Sequence, residues 1–296
     1  MTATAGAIGG LLAIHHDAAN WGLFALAFAG ILLAHVANNL MNDLFDAEVG
    51  LDTAQYPRAL YAPHPILSGM ISRRGLMAAA LIVNVLDLAI GLVLVAYRGW
   101  AIAGFALGGF LLSAAYTAPP LRLKKHGLGE LDVAIVWGPL MVGGVYYATT
   151  GEIPALVLVA SIPYSLLCVA VLMGKHIDKI DWDAREGVRT LPVLLGERAS
   201  RGLTRGLLVA FYVGLAAAVA LGALPWPALL AFGALPAASR PWQALGHPKP
   251  AEPPPRFPVW PLWFAPLAFL HTRRAGSLLV LGLAIAATGR FGTPVL

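Results

Sequence analysis

The chain is short of charge. Asp, Glu, Lys and Arg make up 12% of its 296 residues, about half the share of an ordinary soluble domain. A water-soluble core of this length could not hide the 58% of residues that are hydrophobic, so most of the surface must meet lipid. Cysteine is nearly absent: Cys168 stands alone, which excludes an intramolecular disulfide. No GxxxxGK[ST] loop occurs, which argues against nucleotide hydrolysis. No basic segment precedes the first apolar run, so no cleavable signal peptide is expected. The net charge of +5 is spread between apolar runs. That is the pattern of a membrane protein facing an anionic leaflet rather than of a nucleic-acid binder.

What the chain does have is a series of apolar runs, at 21–41, 77–97, 100–118, 131–149, 154–174, 205–224, 225–238 and 276–289, preceded by a shorter one at 3–14. Crossing the hydrocarbon takes about 20 helical residues, so 3–14 and 225–238 are expected to be tilted or incomplete spans. Residues 257–270 carry Pro258, Pro261 and Pro266 and are expected to form a broken or interfacial segment. Residues 241–258 hold seven prolines and read as a linker. The expectation is an all-α polytopic bundle of about nine transmembrane helices, forming a single domain over 1–296. All of the 20 Lys and Arg except Arg98 and Arg290 fall after the even-numbered helices. Those connections are therefore expected to be cytoplasmic.

Two acidic clusters lie on that face. The first, NDLFDAEVGLD (42–52), ends the second helix. Helical spacing puts His35, Asn38 or Asn39, Asn42 and Asp46 on one stripe with Asp43 beside it, and Gly50 permits a sharp exit before Asp52. Polar groups inside a bilayer are costly, so the stripe should face a cavity. The second cluster, KHIDKIDWDAREGVRT (175–190), ends the sixth helix with Asp178, Asp181 and Asp183 among Lys175, Lys179, Arg185 and Arg189. Oxygen ligands of this kind suit Mg2+ bridging to phosphates, with nearby Lys and Arg on the remaining phosphate oxygens. Neither cluster is dominated by Cys or His, which argues against zinc. Asn84 and Asp87 lie well inside the third helix, where an acid is either functional or hydrogen-bonded to a neighbouring helix.

With these motifs the sequence resembles the UbiA superfamily of intramembrane prenyltransferases. The family's first motif, NDxxDxxxD, is matched by Asn42, Asp43 and Asp46, with Gly50 where a third Asp would stand and Asp52 two residues on. The resulting NDxxDxxxGxD spacing resembles the menaquinone-pathway branch. PHPILSGMISRRGL (63–76), AYTAPPLRLKKHGLGELDV (115–133), GVRTLPVLLG (187–196) and WPLWFAPLAFLHTRRAG (260–276) resemble further family segments. In the second motif, DxxxD, Asp183 takes the nearer position. The farther one is Lys179, with Asp178 beside it and Asp181 between, so either could complete the set. His64 stands where many members have Arg.

The resemblance implies a central cavity open to lipid and an allylic polyprenyl diphosphate as donor. It also implies Mg2+ held by Asn42, Asp43, Asp46 and Asp52 on one side and by Asp178, Asp181 and Asp183 on the other. Arg58, His64, Lys124, Lys175 and Arg189 would bind the substrate, and Tyr116 would support the cation or the diphosphate. Asp43, Asp46, Tyr116 and Asp183 would form the catalytic group. The acceptor would be a small aromatic or quinone precursor, such as a dihydroxynaphthoate, with the active site at the cytoplasmic side of an inner membrane. Some relatives use lipid or phosphosugar acceptors, or cyclise the prenyl chain. A transporter would carry charge deep in several helices, whereas here most of it lies at helix ends.

Overall fold

The structure is a computed structural model and describes residues 1–14, 16–48 and 63–289, with the side chains of Asp46 and Glu48 excepted. Every regular element among them is helical. In chain order they are α1 (Thr2–Leu12), α2 (Trp21–Glu48), α3 (Arg73–Arg98), α4 (Trp100–Thr117), a 3-10 turn (Leu123–His126), α5 (Gly129–Thr150), α6 (Ala155–Asp178), α7 (Ile180–Arg185), α8 (Leu191–Leu195), α9 (Glu197–Ala220), a 3-10 segment (Trp226–Ala234) running into α10 (Leu235–Ala244), and α11 (Phe264–Ala286). Six of these, α2 through α6 and α9, are long and apolar enough to cross a membrane. The chain is an integral membrane protein with an all-α bundle.

Each expected apolar run is helical, with shifted ends, but among the described residues six helices rather than about nine are long and apolar enough to span. Helix α9 begins at Glu197 and α6 runs on to Asp178, because charged residues in a terminal turn do not stop a helix whose next turns are apolar. The segment expected to be broken, 257–270, is helical from Phe264 onward. Pro266 falls in the first turn of α11, where the backbone N–H has no acceptor to lose. Arg273 and Arg274 are exposed midway along α11, so its apolar second half is the part that matches the expected 276–289 span. The 3-10 segment and α10 carry the rod to Ala244, past the expected end at 238 and into the proline-rich stretch.

The bundle has a tight side and a loose side. The largest buried side chains include Tyr146 of α5, Tyr164 and Leu167 of α6, Phe211 and Leu215 of α9, and Phe264 and Leu279 of α11. The hydroxyl of Tyr212 lies 2.8 Å from His271 Nε2, joining α9 to α11. Close approach relies on small residues, as expected where lipid gives helices no solvent-driven attraction. A Cβ on Gly282 would lie 2.1 Å from the carbonyl oxygen of Pro227. By contrast α3 and α4 carry outward rows of large apolar side chains, among them Leu81, Leu88, Leu92, Leu107 and Leu111, each more than half exposed. In water such a surface would drive aggregation, and in a bilayer it faces acyl chains.

Local signals place the helix ends. Ser72 accepts from Gly75 N (3.1 Å) and caps α3, and Asn20 Oδ1 accepts from Leu23 N (3.0 Å) at the start of α2. Arg98, one of the two basic residues on the sparse side, has a local partner: its guanidinium donates to the Ala148 carbonyl (2.8 Å) and to that of Thr149. It thereby meets the negative C-terminal end of α5. Within α5, residues Val136–Gly143 form a π-helical stretch around Pro139. Proline has no N–H to give, and the wider turn accommodates its ring.

Candidate active site

On the loose side, α2 through α6 enclose a cavity of about 340 Å³, within the roughly 300–1,000 Å³ range of small-ligand pockets. Most of its wall is apolar: Ile90 and Leu94 of α3, Phe105 and Phe110 of α4, Leu140 and Met141 of the π-helical stretch, and Leu172 of α6. The polar stripe on α2 faces it, with His35, Asn38, Asn39 and Asn42 all on the wall. Asn39 Nδ2 lies 3.3 Å from His35 Nε2, and the His35 ring meets Trp137 edge-on at 5.6 Å. Asn84 and Asp87 of α3 also line it. Asn84 donates to the Ala80 carbonyl (2.8 Å) and reaches Met41 Sδ (3.9 Å), so it ties α3 to α2.

One end of the cavity gathers the ends of four helices, and three contacts hold them level. Thr117 Oγ1 donates to Asn42 Oδ1, joining the C-terminal turns of α4 and α2. Gly129 lets the Tyr116 ring approach the first turn of α5; a Cβ there would lie 3.0 Å from the ring. His176 Nδ1 donates to Glu130 Oε1 at 2.7 Å, a buried contact between the last turn of α6 and the first of α5. The side chains brought to this end are Asn42, Tyr116, Asp132 and Lys175. Asp43 follows Asn42 and is half-buried.

The other expected residues fall elsewhere. Arg58 and Asp52 lie outside the described residues, as does the side chain of Asp46. Lys124 is buried in the 3-10 turn beside Tyr116 and Gly129. Arg189 is exposed beyond α7. His64 is buried, and its Nδ1 accepts from the backbone N–H groups of Ile66 and Leu67 (3.3 Å each). That nitrogen organises the turn ahead of α3.

The second acidic cluster is arranged differently from the expectation of a ligand set. Asp178 is 2% exposed, and its two carboxylate oxygens accept from Phe264 N (3.0 Å) and Ala265 N (2.9 Å). It caps the start of α11, where free N–H groups and the helix dipole favour a negative charge. Both carboxylate oxygens of Asp178, expected to serve as metal ligands, are thus occupied by backbone amides. The chain does break at Lys179, between α6 and α7, but the irregularity does not turn Asp178 toward the first cluster. Asp183 is buried with Lys179 Nζ 3.4 Å from Oδ1. Asp181 is exposed. Nearby, Lys249 from the proline-rich linker donates to the Asp178 carbonyl (2.9 Å). Burial pulls its pKa below the usual lysine range, against the opposing pull of Asp178, Asp181 and Glu197.

Among the described residues no three His, Cys, Asp or Glu side chains cluster as a metal site. The donor chemistry of the first cluster nonetheless fits Mg2+, since Asn42 on the cavity wall and Asp43 next to it in the chain both carry hard oxygens. In the second cluster one acid caps a helix, one lies beside a lysine and one is exposed. Asp132 is a further cavity residue, absent from the set that the sequence motifs single out. Its signal is a carboxylate heading the otherwise uncharged run 133–151.

Comparison with known proteins agrees with this architecture. A model of the UbiA prenyltransferase family matches residues 3–270. The 1,4-dihydroxy-2-naphthoate octaprenyltransferase of Bacillus subtilis (strain 168) is 27% identical over 225 residues, covering 74% of this chain and 70% of that protein. The enzyme of the same name from Escherichia coli (strain K12) is 35% identical over 201 residues, covering 66% of this chain but only 63% of its own length. Among solved structures, an apo UbiA homolog from Aeropyrum pernix K1 superposes with a TM-score of 0.67 at 16% identity, covering 96% of both chains. A homolog from Archaeoglobus fulgidus bound to GPP and Mg2+ gives 0.57 at 16%, covering 94% of this chain and 95% of that one. Bundle, cavity, motif and family match converge, and the chain belongs to the UbiA prenyltransferase family.

Proposed function

We propose that this chain transfers a prenyl group from an allylic diphosphate to a hydroxylated aromatic acceptor, as a single unit over residues 1–296, with the reacting end of the cavity at the cytoplasmic face of an inner membrane. The observation that carries the reading is the convergence of Asn42, Tyr116, Asp132 and Lys175 at one end of an otherwise apolar cavity. The apolar wall takes the isoprenoid tail, and the polar end takes the diphosphate together with the acceptor. The naphthoate prenyltransferases among the relatives support the acceptor class, and the bound GPP and Mg2+ of the A. fulgidus homolog support the donor.

Asn42 and Asp43, with Asp46 one turn on, would hold Mg2+, which when bound supplies positive charge to the departing diphosphate. Lys175 extends an ammonium to the same oxygens, with Lys124, Arg189 and Arg58 as further cationic candidates. As the allylic C–O bond breaks, its electron pair leaves with the diphosphate, and cations fixed beforehand stabilise that charge without reorganising. The ring of Tyr116 faces the developing allylic cation. The apolar wall keeps water from the cation until the acceptor carbon reaches it. Asp183 keeps a supporting place beside Lys179.

The test is incubation of membranes bearing the protein with a labelled C20 or longer allylic diphosphate and a panel of aromatic, lipid and phosphosugar acceptors. The expected product is a prenylated aromatic, with product formation lost in EDTA and restored by Mg2+. Asp43→Asn and Asp46→Asn are each expected to lower turnover by about 100-fold or more while the protein still inserts. Full activity in either variant, or in chelator, overturns the ligand assignment. A prenylated lipid, or a cyclised hydrocarbon made without any acceptor, replaces the aromatic reading.

A further inference from the structure

Asp132 is a costly residue where it stands. It is 5% exposed, lines the cavity, and its Oδ1 has no hydrogen-bond partner. A buried carboxylate oxygen left unpaired opposes folding, and a leucine at the same position would pack at no such cost. Asp178 differs in having both oxygens occupied by backbone amides, and Glu130, although its Oε2 has no partner, has its other oxygen 2.7 Å from His176. The position in the first turn of α5 favours a negative side chain through the helix dipole, but an exposed orientation would serve the dipole equally well. The carboxylate is instead turned into the cavity at the end where Tyr116 and Lys175 stand.

Building on the prenyltransferase reading above, we propose that Asp132 is the acceptor-side catalytic residue, binding a ring hydroxyl of the aromatic acceptor and taking its proton. A carboxylate repels a diphosphate but accepts a hydrogen bond from a phenolic O–H, so it sorts the two substrates within one cavity. The step balances. As the ring carbon beside the hydroxyl bonds to the allylic carbon, the hydroxyl proton passes to Asp132 and the diphosphate leaves with the C–O electron pair. The ring ketone so formed loses whatever that carbon carried, a proton or carbon dioxide, and the proton on Asp132 returns to restore the hydroxyl. A site built around a buried acceptor atom also rejects a ligand unable to donate to it.

The experiment uses the full chain in detergent micelles with Mg2+, geranyl diphosphate as donor and 1,4-dihydroxy-2-naphthoate as acceptor, with donor affinity measured separately by calorimetry. The nearly isosteric Asp132→Asn keeps an oxygen for the hydroxyl but takes no proton. It is expected to lower kcat by about 10²–10⁴-fold with acceptor KM and donor Kd within about 3-fold of the unmodified chain. Asp132→Leu is expected in addition to raise acceptor KM by about 10-fold or more, again with donor Kd unchanged. Unchanged turnover in both variants overturns the assignment. So does a loss of donor affinity alongside turnover, which would put Asp132 on the diphosphate side. Should both variants fail to fold, the unmodified chain is given the acceptor with its hydroxyls replaced by methoxy groups. No product is expected, and prenylation at the parent rate overturns the proposal. Absence of transfer to every hydroxylated acceptor by the unmodified chain overturns the prenyltransferase reading itself, whereas transfer indifferent to Asp132 overturns only this inference.

Discussion

At the scale of the residue, three aspartates that look alike in the sequence do three different things. Asp43 lies beside the cavity stripe, Asp178 caps α11, and Asp183 sits against Lys179. Replacing Asp178 by Ala removes two charge-assisted hydrogen bonds and strands two buried N–H groups. The expected loss is about 2–4 kcal/mol of stability, with Asn losing less because its amide oxygen still accepts. Thermal unfolding in detergent checks this. The protein that remains folded should keep turnover within several-fold, unlike Asp43→Asn, and a loss as deep as that of Asp43→Asn would return Asp178 to the metal. The stripe His35, Asn39, Asn42 is legible because helical periodicity alone sets which residues share a face. The cap is not, because the amides that Asp178 meets lie 86 and 87 residues further along the chain, and no local pattern connects them. Nor does spacing reveal His64 as the organiser of its own turn, since the same imidazole chemistry serves a turn or a ligand.

At the scale of the element, the apolar runs locate every long helix and miss mainly the ends. Hydropathy marks the part in lipid, whereas helices continue past it wherever caps and carbonyls are satisfied. Proline signals more breaks than occur: Pro266 sits in a first turn and Pro139 in a π-helical stretch, and neither breaks its helix. Glycine carries the tighter constraint. Gly282→Ala would put a methyl 2.1 Å from the Pro227 carbonyl oxygen, a backbone atom that cannot rotate away. The expected cost is about 1–3 kcal/mol, seen as a lower unfolding temperature. Gly91, where an added methyl would have no atom within 4 Å, is the control and should tolerate alanine. An equal response at the two positions would show that the helix contact at Gly282 is slack.

At the scale of the whole molecule, charge placement and apolar surface agree. The acidic clusters and most basic residues share one end of the bundle, and the wide apolar faces of α3 and α4 form its flank. This end is expected to be cytoplasmic. In a Cys168→Ala background, His126→Cys should react with a membrane-impermeant thiol reagent only from the inner side, and Glu152→Cys only from the outer side. The reverse pattern would invert the topology and move the proposed site to the other face. The cavity itself is legible only as a requirement that polar groups on α2 face something other than lipid. Its walls come from five helices, and their relative rotation is a property of packing that no single run encodes.

The π-helical stretch in α5 has a consequence for anyone aligning this chain by residue counting. A π turn holds more residues than the 3.6 of an α turn, so it offsets the azimuth of everything on one side of Val136–Gly143 relative to the other. Straightening the stretch to α geometry at unchanged length would swing Asp132 by roughly 100° while Tyr146 stayed seated. Relatives that straighten this helix would therefore point a nominally equivalent position into lipid.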